Sequence, residues 1–197
     1  MAWLVSEPDQ GRYYALNKGL ARARGEVVGV LHGDDVFGDP EVLARVAAAF
    51  ADPAVMAVYG DLEYVSRTDP GRVVRHWRSR AFEPGLLRRG WMPPHPTLYL
   101  RRSVYERLGG FDTRYRIAAD YDLILRVLGQ LPGRAVYLLP IPPKVDSHSS
   151  ANWTPDPPQT GRLFQVKLDS RSEATLGVDV IYVLWVTSVN VGLRGHR

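Results

Sequence analysis

The sequence predicts an α/β fold with a mostly parallel sheet, on three observations. First, residues 27–31 form a short apolar run that is rich in β-branched residues and flanked by glycines, as expected of a buried strand. Second, a strand-like segment and an amphipathic helical pattern precede this run, which gives the strand–helix–strand order of a βαβ unit. Third, the run leads to Asp34 and Asp35, and ligands bind at the carboxyl ends of strands in open α/β sheets.

The elements before the carboxylate pair are a strand end at 2–5, a turn at 6–11 and a helix at 13–24. The turn is predicted from its Pro, Asp and Gly residues. Three apolar side chains of the helix recur at i, i+4 and i+7 and are expected to face the core: Leu16, Leu20 and Ala23. Gly25 follows the last turn, as glycine commonly does after a helix.

The elements after the carboxylate pair are less regular. An Asp-Pro-Glu sequence at 39–41 predicts the start of a helix that extends to residue 50. A strand is predicted at 55–65 and a hairpin partner for it at 73–77. A stiff loop with three prolines at 90–97 then leads to a strand at 98–101. Two further helices are predicted, a short one opened by a capping box at 103–106 and one at 120–128. In the last helix, Asp122 and Arg126 have the i,i+4 spacing of an ion pair.

Composition sets broad limits on the kind of protein. The 197 residues suffice for one domain with a real core. The net charge of +4 comes from scattered residues that are nearly all Arg, which favours an anionic ligand and does not predict nucleic-acid binding. The chain has no cysteine, which excludes disulfides and cysteine metal sites. Neither a signal peptide nor a transmembrane segment is expected from the apolar pattern.

Asp34 and Asp35 are the first candidate functional residues. Neighbouring side chains in an extended chain point in opposite directions, so the two carboxylates can hold different groups, such as a sugar hydroxyl and a metal ion. Oxygen ligands suit a hard cation such as Mg²⁺ or Mn²⁺, which commonly binds together with phosphate. The alternative is that the pair only caps the next helix.

Further candidates lie in loops and at helix starts. Asp9 and Lys18 are expected at the same sheet edge as the carboxylate pair, although a turn cap and a solvated helix face are the alternatives. Asp120 precedes a helix, where a carboxylate either caps the helix or acts as a general base beside a bound acceptor. His95 lies in the proline-rich loop, where a role in packing is the alternative to a role in binding.

Two blocks of sequence resemble one known family. The first reads Ser-Glu-Pro-Asp-Gln-Gly at 6–11, Asn-Lys-Gly at 17–19 and Gly-Glu-Val-Val-Gly-Val-Leu-His-Gly-Asp-Asp at 25–35. The second reads His-Pro-Thr at 95–97, Arg-Arg at 101–102, Gly-Gly-Phe-Asp at 109–112 and Ala-Asp-Tyr-Asp-Leu at 119–123. In content and order these blocks resemble the family 2 glycosyltransferases. The chain departs from that family at Tyr14, where Asp is common, and at His32, where a small or polar residue is usual.

The resemblance implies a fold and an activity. The fold would be the three-layer, mostly parallel sheet of the nucleotide-diphospho-sugar transferase (GT-A) type. The activity would be transfer of a sugar from a nucleotide diphosphate sugar to a hydroxyl acceptor, with inversion. Polysaccharide biosynthesis with a glycan or lipid-linked glycan acceptor is implied, as is a cytoplasmic location. Peripheral association with the inner face of the membrane is left open.

The resemblance also implies roles for individual residues. Asp120 would be the catalytic base, and His95 would lie on the acceptor side. Asp35 would bind Mn²⁺ or Mg²⁺, and Asp34 would contact the ribose or share the metal ion. The donor side would be lined by two further residues, Asp9 and Lys18.

The resemblance covers residues 1–140, which are therefore interpreted as a partial glycosyltransferase domain. The family pattern begins earlier, with two strands, a helix and an Asp that contacts the nucleotide base, so the fold in this chain is expected to be incomplete. Residues 141–197 are interpreted as an unmatched, loop-rich tail with one strand near 181–191.

Two alternatives to an active transferase stay open. One is a non-catalytic remnant or partner-binding domain of the same fold. The other is a nucleotidyltransferase, which shares the sheet type and the metal. A nucleotidyltransferase would need a glycine-rich phosphate loop with Lys or Arg after its first strand, and this sequence has no such loop.

Overall fold

The computed structural model describes residues 3–33, 35–66, 68–131 and 133–138, and three later segments, 144–146, 160–166 and 180–187. For residues 3–6 and for the three later segments, the description is limited to the backbone. Asp34 lies outside the described residues.

The described residues form α-helices, β-strands and short 3₁₀ helices in mixed order. The α-helices are α1 (Arg12–Arg22), α2 (Val42–Phe50), α3 (Arg102–Leu108) and α4 (Ala119–Gln130). The strands are β1 (Trp3–Pro8), β2 (Val27–His32), β3 (Asp35–Val36), β4 (Val55–Tyr59), β5 (Leu62–Val65), β6 (Val73–Trp77), β7 (Tyr99–Arg101), β8 (Arg134–Tyr137), β9 (Lys144–Asp146), β10 (Thr160–Val166) and β11 (Val180–Thr187). Short 3₁₀ helices occur at Pro84–Arg89 and His95–Thr97.

The strands form two sheets. The main sheet has seven strands in the order β1-β10-β11-β2-β7-β4-β8, and the smaller one has four in the order β3-β9-β5-β6. β10 and β11 belong to the predicted tail, and their backbones pair with each other, with β1 and with β2. The predicted division into a domain at 1–140 and a tail at 141–197 stays a prediction.

The mixed α/β content agrees with the predicted class, but the mostly parallel, three-layer sheet is not confirmed. Among the described strands of the main sheet, four of six pairings are antiparallel, and two are parallel. The reason is that β7 and β10 run opposite to the other five strands and each lies between two of them. The apolar pattern of a short strand shows burial and carries no information on chain direction.

This arrangement still places several strand ends together. Because β1, β2, β4 and β8 run in the same direction, their carboxyl ends lie at one edge of the main sheet. β7 runs the other way, so its amino end lies at that edge too. The loop that carries His95 precedes β7 and is therefore brought to the ends of β2 and β4.

Two hydrophobic clusters pack against the main sheet. The larger one joins residues of α1, α3 and α4 to the sheet, with Leu16, Val28, Leu100, Val104 and Ile124 among its most buried members. The second joins α2 to the sheet and includes Val27, Val46, Phe50, Val58 and Tyr99. Adjacent residues of one strand fall into different clusters because successive side chains of a strand point to opposite faces.

Buried Arg101 ties the second cluster to the end of α2. Its Nη2 donates to the carbonyls of Phe50 and Asp52 at 2.7 and 3.0 Å, and its Nε donates to the carbonyl of Val55 at 2.7 Å. Its Nη1 contacts the carboxylate of Glu26. One side chain thus joins the last carbonyl of α2, which has no intrahelical partner, to the turn that follows and to the start of β4. In the part of the chain that the structure describes, every helix is too short or too polar to cross a membrane.

Candidate active site

The candidate site lies at the edge where β2 and β4 end. α1 starts there after the turn that follows β1, and α4 brings its amino end to the same place, since Tyr13 and Asp120 are in contact. A small cavity of about 60 Å³ opens between these elements. Its polar lining consists of Arg12, Tyr13, His32, His95, Tyr105 and Asp120.

Asp120 is contacted by two side chains from distant parts of the chain. The Tyr13 hydroxyl donates to its Oδ1 at 3.1 Å, and Nδ1 of His95 lies 3.1 Å from its Oδ2. Asp120 lies in the first turn of α4, two residues after the N-cap Ala118, which adopts a left-handed conformation with φ 67°. The positive end of the helix dipole favours a carboxylate in this position. Asp120 and His95, which were predicted separately as a base and an acceptor-side residue, thus lie in contact, and their roles stay predictions.

The loop that carries His95 is held in place by Thr97. The hydroxyl of buried Thr97 accepts a hydrogen bond from the backbone nitrogen of Gly60 at 3.1 Å and donates to the carbonyl of Pro94 at 2.8 Å. These bonds tie the proline-rich loop to the end of β4. The predicted loop thus holds its shape by a side-chain anchor as well as by its prolines.

A second histidine, His32, contacts the ring of His95. Nε2 of His32, the last residue of β2, lies 3.2 Å from Nε2 of His95, and the two rings meet edge to face. Burial lowers the pKa of His32 to about 3, and the nearby His95 and Arg12 add to the shift. Burial also lowers the pKa of His95, against the opposing effect of the Asp120 charge. Both imidazoles are therefore neutral at neutral pH.

Tyr13 completes the surroundings of Asp120. Burial raises the pKa of Tyr13 to about 12, and the charge of Asp120 and its hydrogen bond contribute. The Tyr13 ring stacks on Phe111 at a centroid distance of 5.5 Å, and the guanidinium of Arg12 lies 5.9 Å from the Tyr13 centroid. Tyr13 is thus a fixed hydrogen-bond donor whose proton stays in place at physiological pH.

The loop that carries Phe111 is clamped from two sides. Asn17 of α1 donates from Nδ2 to the carbonyl of Phe111 at 2.7 Å and accepts from its backbone nitrogen at 2.8 Å. Arg126 of α4 donates to the carbonyls of Leu108 and Gly110 at 2.6 and 2.7 Å. The predicted ion pair between Arg126 and Asp122 is confirmed at 2.8 Å. A Cβ at Gly110 would lie 2.3 Å from Oδ1 of Asn17, so the clamp requires glycine there.

Lys18 and Asp9, which were predicted on the donor side, lie together in an ion cluster. Nζ of Lys18 is 2.7 Å from Oε1 of Glu7 and 3.1 Å from Oδ1 of Asp9. The hydrogen bond to Lys18 lowers the pKa of Glu7, and the bond to Glu7 raises the pKa of Lys18. The cluster fixes the turn between β1 and α1. Donor binding by these residues stays a prediction.

Asp35, the predicted metal ligand, is buried at the start of β3 with 7% of its surface exposed. A carboxylate just beyond the end of β2 is the kind of donor that Mg²⁺ or Mn²⁺ takes, so Asp35 fits that ion by chemistry and position. Its predicted partner Asp34 is not among the described residues. Within those residues, no group of three or more His, Asp or Glu side chains is arranged to hold a metal ion.

Sequence reasoning did not identify Tyr13 as a site residue, and it noted His32 only as a departure from the family. For Tyr13 the available signal was its place in the first turn of the helix that starts at the ligand-binding edge. For His32 the signal was its place as the last residue of the buried strand. Asn17 belongs to the first of the two sequence blocks that resemble the family, and the structure shows it bonded to Phe111.

Comparison with known proteins gives a consistent picture. The family model described as "Glycosyl transferase family 2" matches residues 4–111, which include Asp9, Lys18, the Asp34–Asp35 pair and His95, while Asp120 lies beyond the matched range. An uncharacterized glycosyltransferase of Mycobacterium tuberculosis is 33% identical over 127 residues, which are 64% of this chain and 47% of that protein.

Two further relatives have more specific names. A PGL/p-HBAD biosynthesis glycosyltransferase of Mycobacterium bovis is 33% identical over 122 residues, which cover 61% of this chain and 44% of that protein. An O-antigen biosynthesis protein of Myxococcus xanthus is 34% identical over 128 residues, 62% of this chain and 9% of that protein. The chain thus spans about half the length of the mycobacterial relatives that it matches. Because the family model covers more than half of its residues, the chain belongs to glycosyl transferase family 2.

Proposed function

We propose that this chain carries part of the active site of a glycosyltransferase that moves a sugar from a nucleotide diphosphate sugar to a hydroxyl acceptor with inversion. The observation that carries the proposal is the carboxylate of Asp120, which lines a cavity at the ligand-binding edge and is oriented by Tyr13 and His95. Membership of the family supports the same reaction class.

Asp120 would act as the general base. The oxygen of an acceptor hydroxyl attacks the anomeric carbon while its proton passes to a carboxylate oxygen of Asp120. The bond from the anomeric carbon to the diphosphate oxygen breaks on the opposite side, and the electron pair leaves with the diphosphate. A single displacement of this kind inverts the configuration. Tyr13 and His95 keep the carboxylate in one orientation, which a proton acceptor needs in order to meet the hydroxyl.

The donor would bind on the side of β1 and β2. Asp9 and Asp34 would face the nucleotide sugar, and Lys18, which already pairs with Asp9, would contribute by fixing the position of that carboxylate. Asp34 and Asp35 would hold Mn²⁺ or Mg²⁺, which when bound would neutralise the charge of the departing diphosphate.

The acceptor would be a glycan or a lipid-linked glycan. One relative is named for PGL/p-HBAD biosynthesis and another for O-antigen biosynthesis, and these names are the support for that class of acceptor and for polysaccharide biosynthesis. His95, which lines the cavity beside Asp120, would lie on the acceptor side. A cytoplasmic location with peripheral contact at the membrane surface belongs to the same proposal.

Two measurements on the 197-residue chain test the proposal. Titration calorimetry with uridine and guanosine diphosphates, with and without Mn²⁺, should detect metal-dependent binding. Transfer of a labelled sugar from a panel of nucleotide sugars to hydroxyl acceptors should be lost in Asp120→Asn, by about a hundredfold or more, while nucleotide binding persists. The matched control is Asp69→Asn, which alters a carboxylate in the exposed turn before β6.

The outcomes separate the proposal from its rival. Binding without transfer in the parent chain, or transfer that Asp120→Asn leaves intact, would contradict the role of Asp120. Absence of metal-dependent nucleotide binding would instead favour a non-catalytic, partner-binding domain of the same fold.

A further inference from the structure

The imidazole of His32, at the end of β2, reaches the ring of His95. The two Nε2 atoms lie 3.2 Å apart, which is within hydrogen-bonding distance. The rings cross at 75°, with their centroids 5.3 Å apart, so one ring presents its edge to the other.

The hydrogen positions follow from the chemistry of the three partners. An ionised carboxylate cannot donate a hydrogen bond, and a bare nitrogen lone pair 3.1 Å from Oδ2 of Asp120 would be repelled by it, so the hydrogen of His95 belongs on Nδ1. A neutral imidazole has one N–H, and Nε2 of His95 is then an acceptor. The hydrogen between the two histidines therefore belongs to Nε2 of His32.

We propose that His32 is a positioning residue that locks His95 in its Nδ1–H tautomer and, through His95, holds the orientation of Asp120. The positioning step rests on the proposed function of Asp120, whereas the tautomer itself can be measured without any substrate. A histidine that orients a second group through one ring nitrogen is set by the hydrogen bond that its other nitrogen makes.

Removal of the His32 donor has a specific consequence. Without it, His95 gains the alternative Nε2–H tautomer, which turns the Nδ1 lone pair towards Oδ2 of Asp120. Two acceptors at that distance repel each other, and the carboxylate loses one of its two described anchors. Tyr13 would remain as the second anchor. Among the described residues, the other polar groups that line the cavity with this pair are the guanidinium of Arg12 and the phenol of Tyr105, from α1 and α3.

The direct test is NMR on the wild-type chain with ¹⁵N-labelled histidine. The ring shifts should show His95 as the Nδ1–H tautomer and His32 as the Nε2–H tautomer at neutral pH. A nitrogen–nitrogen coupling across the hydrogen bond should join the two Nε2 atoms. Absence of that coupling, or an Nε2–H tautomer at His95, would overturn the inference whether or not the chain transfers sugar.

Two variants test the consequence for Asp120. His32→Phe keeps a flat ring and removes the N–H, whereas His32→Gln keeps an N–H near the position of Nε2. We expect His32→Phe to shift His95 towards the Nε2–H tautomer and to lower kcat for sugar transfer by about tenfold without a change in the KM of the donor. His32→Gln should restore the Nδ1–H tautomer and most of the rate.

The pattern of results distinguishes positioning from mere packing. Equal losses in His32→Phe and His32→Gln, with the His95 tautomer unchanged, would overturn the positioning role. If His32→Phe does not fold, two results still test the positioning role. They are the coupling in the wild-type chain, and the His95 tautomer and transfer rate of His32→Gln compared with the wild type. A chain that shows the coupling but transfers no sugar would leave the His32–His95 bond established and would count against the proposed function alone.

Discussion

The hydroxyl of Tyr13 lies 3.1 Å from Oδ1 of Asp120, although 107 residues separate the two in the chain. The contact exists because α1 and α4 both present their amino ends at the edge where β2 ends. Tyr13 also stacks on Phe111, which fixes the ring and leaves the hydroxyl one direction in which to point. Two elements that are remote in sequence thus hold one carboxylate.

Replacement of this tyrosine gives the first prediction. Tyr13→Phe keeps the stacking on Phe111 and removes the donor to Asp120, so the rate of sugar transfer should fall by about three- to tenfold, the usual effect of one lost hydrogen bond. Donor affinity should not change, since within the described residues the hydrogen bond of this hydroxyl goes to the proposed base. Steady-state kinetics and calorimetry provide the two measurements.

The neighbouring tyrosine is the matched control for that change. Tyr14 is the next residue of α1 and is 37% exposed, so Tyr14→Phe should leave the transfer rate at the parent value. Equal effects of the two substitutions would show that the Tyr13–Asp120 hydrogen bond does not matter for transfer.

Sequence motifs identified some of the residues in the candidate site. Residues that join the site only through tertiary contacts were not identified. Asp120 and His95 were named from the sequence, and they meet at 3.1 Å. Tyr13 was not, because an aromatic residue in the first turn of a helix has the same local pattern whether it packs in the core or meets a carboxylate. The contact depends on where α4 ends up relative to α1, which periodicity does not encode.

The prediction of the fold also succeeded where the local sequence pattern is strong and failed where tertiary contacts decide the structure. The helix at 13–24 and the strand at 27–31 were predicted close to their observed bounds, because each has a strong apolar pattern. The predicted strand at 55–65 is divided at Gly60 and Asp61, and its second half joins the smaller sheet. The break falls where Thr97 bonds to Gly60, a tertiary contact without a local signal.

The predicted capping box at 103–106 is wrong for a related reason. α3 begins at Arg102, directly after β7, and its N-cap makes no side-chain hydrogen bond. The backbone nitrogen of Arg102 donates instead to the carbonyl of Glu26 at 2.7 Å. A distant backbone group thus satisfies one of the free N–H groups at the start of the helix, in place of the local cap that the pattern predicted.

The close approach at Gly110 leads to a prediction on stability. Gly110→Ala would push Oδ1 of Asn17 aside and break its two hydrogen bonds with Phe111, so the free energy of unfolding should fall by about 1–3 kcal/mol. Urea unfolding measures the change. Gly129→Ala in α4 is the control, since no atom lies within 4 Å of the added Cβ. It should stabilise the chain by about 0.5–1 kcal/mol.

A double-mutant cycle identifies the cause of that loss. Asn17→Ala removes the same two hydrogen bonds, so Gly110→Ala combined with Asn17→Ala should cost little more than Asn17→Ala alone. Additive losses would mean that the added methyl group disturbs something other than the Asn17 clamp.

The two adjacent arginines at the end of β7 give a matched pair for a third prediction. Arg101 is 8% exposed and donates to three carbonyl groups, which a lysine ammonium cannot reach together. Arg101→Lys should therefore lower the free energy of unfolding by about 2–4 kcal/mol. Arg102→Lys, at a side chain that is 44% exposed, should cost less than about 1 kcal/mol. Comparable costs for the two would contradict the anchoring role of Arg101.

Acidification should weaken the fold through His95. Burial lowers its pKa in the folded chain, whereas the unfolded chain takes up the proton near the ordinary value of about 6.5. Below that pH the unfolded state binds more protons than the folded state, so stability must fall as the pH decreases. His95→Asn keeps a donor near the position of Nδ1 and cannot titrate. The fall in urea midpoint from pH 7.5 to pH 5.5 should therefore be smaller in His95→Asn than in the parent, and an unchanged fall would show that His95 does not remain neutral in the folded chain.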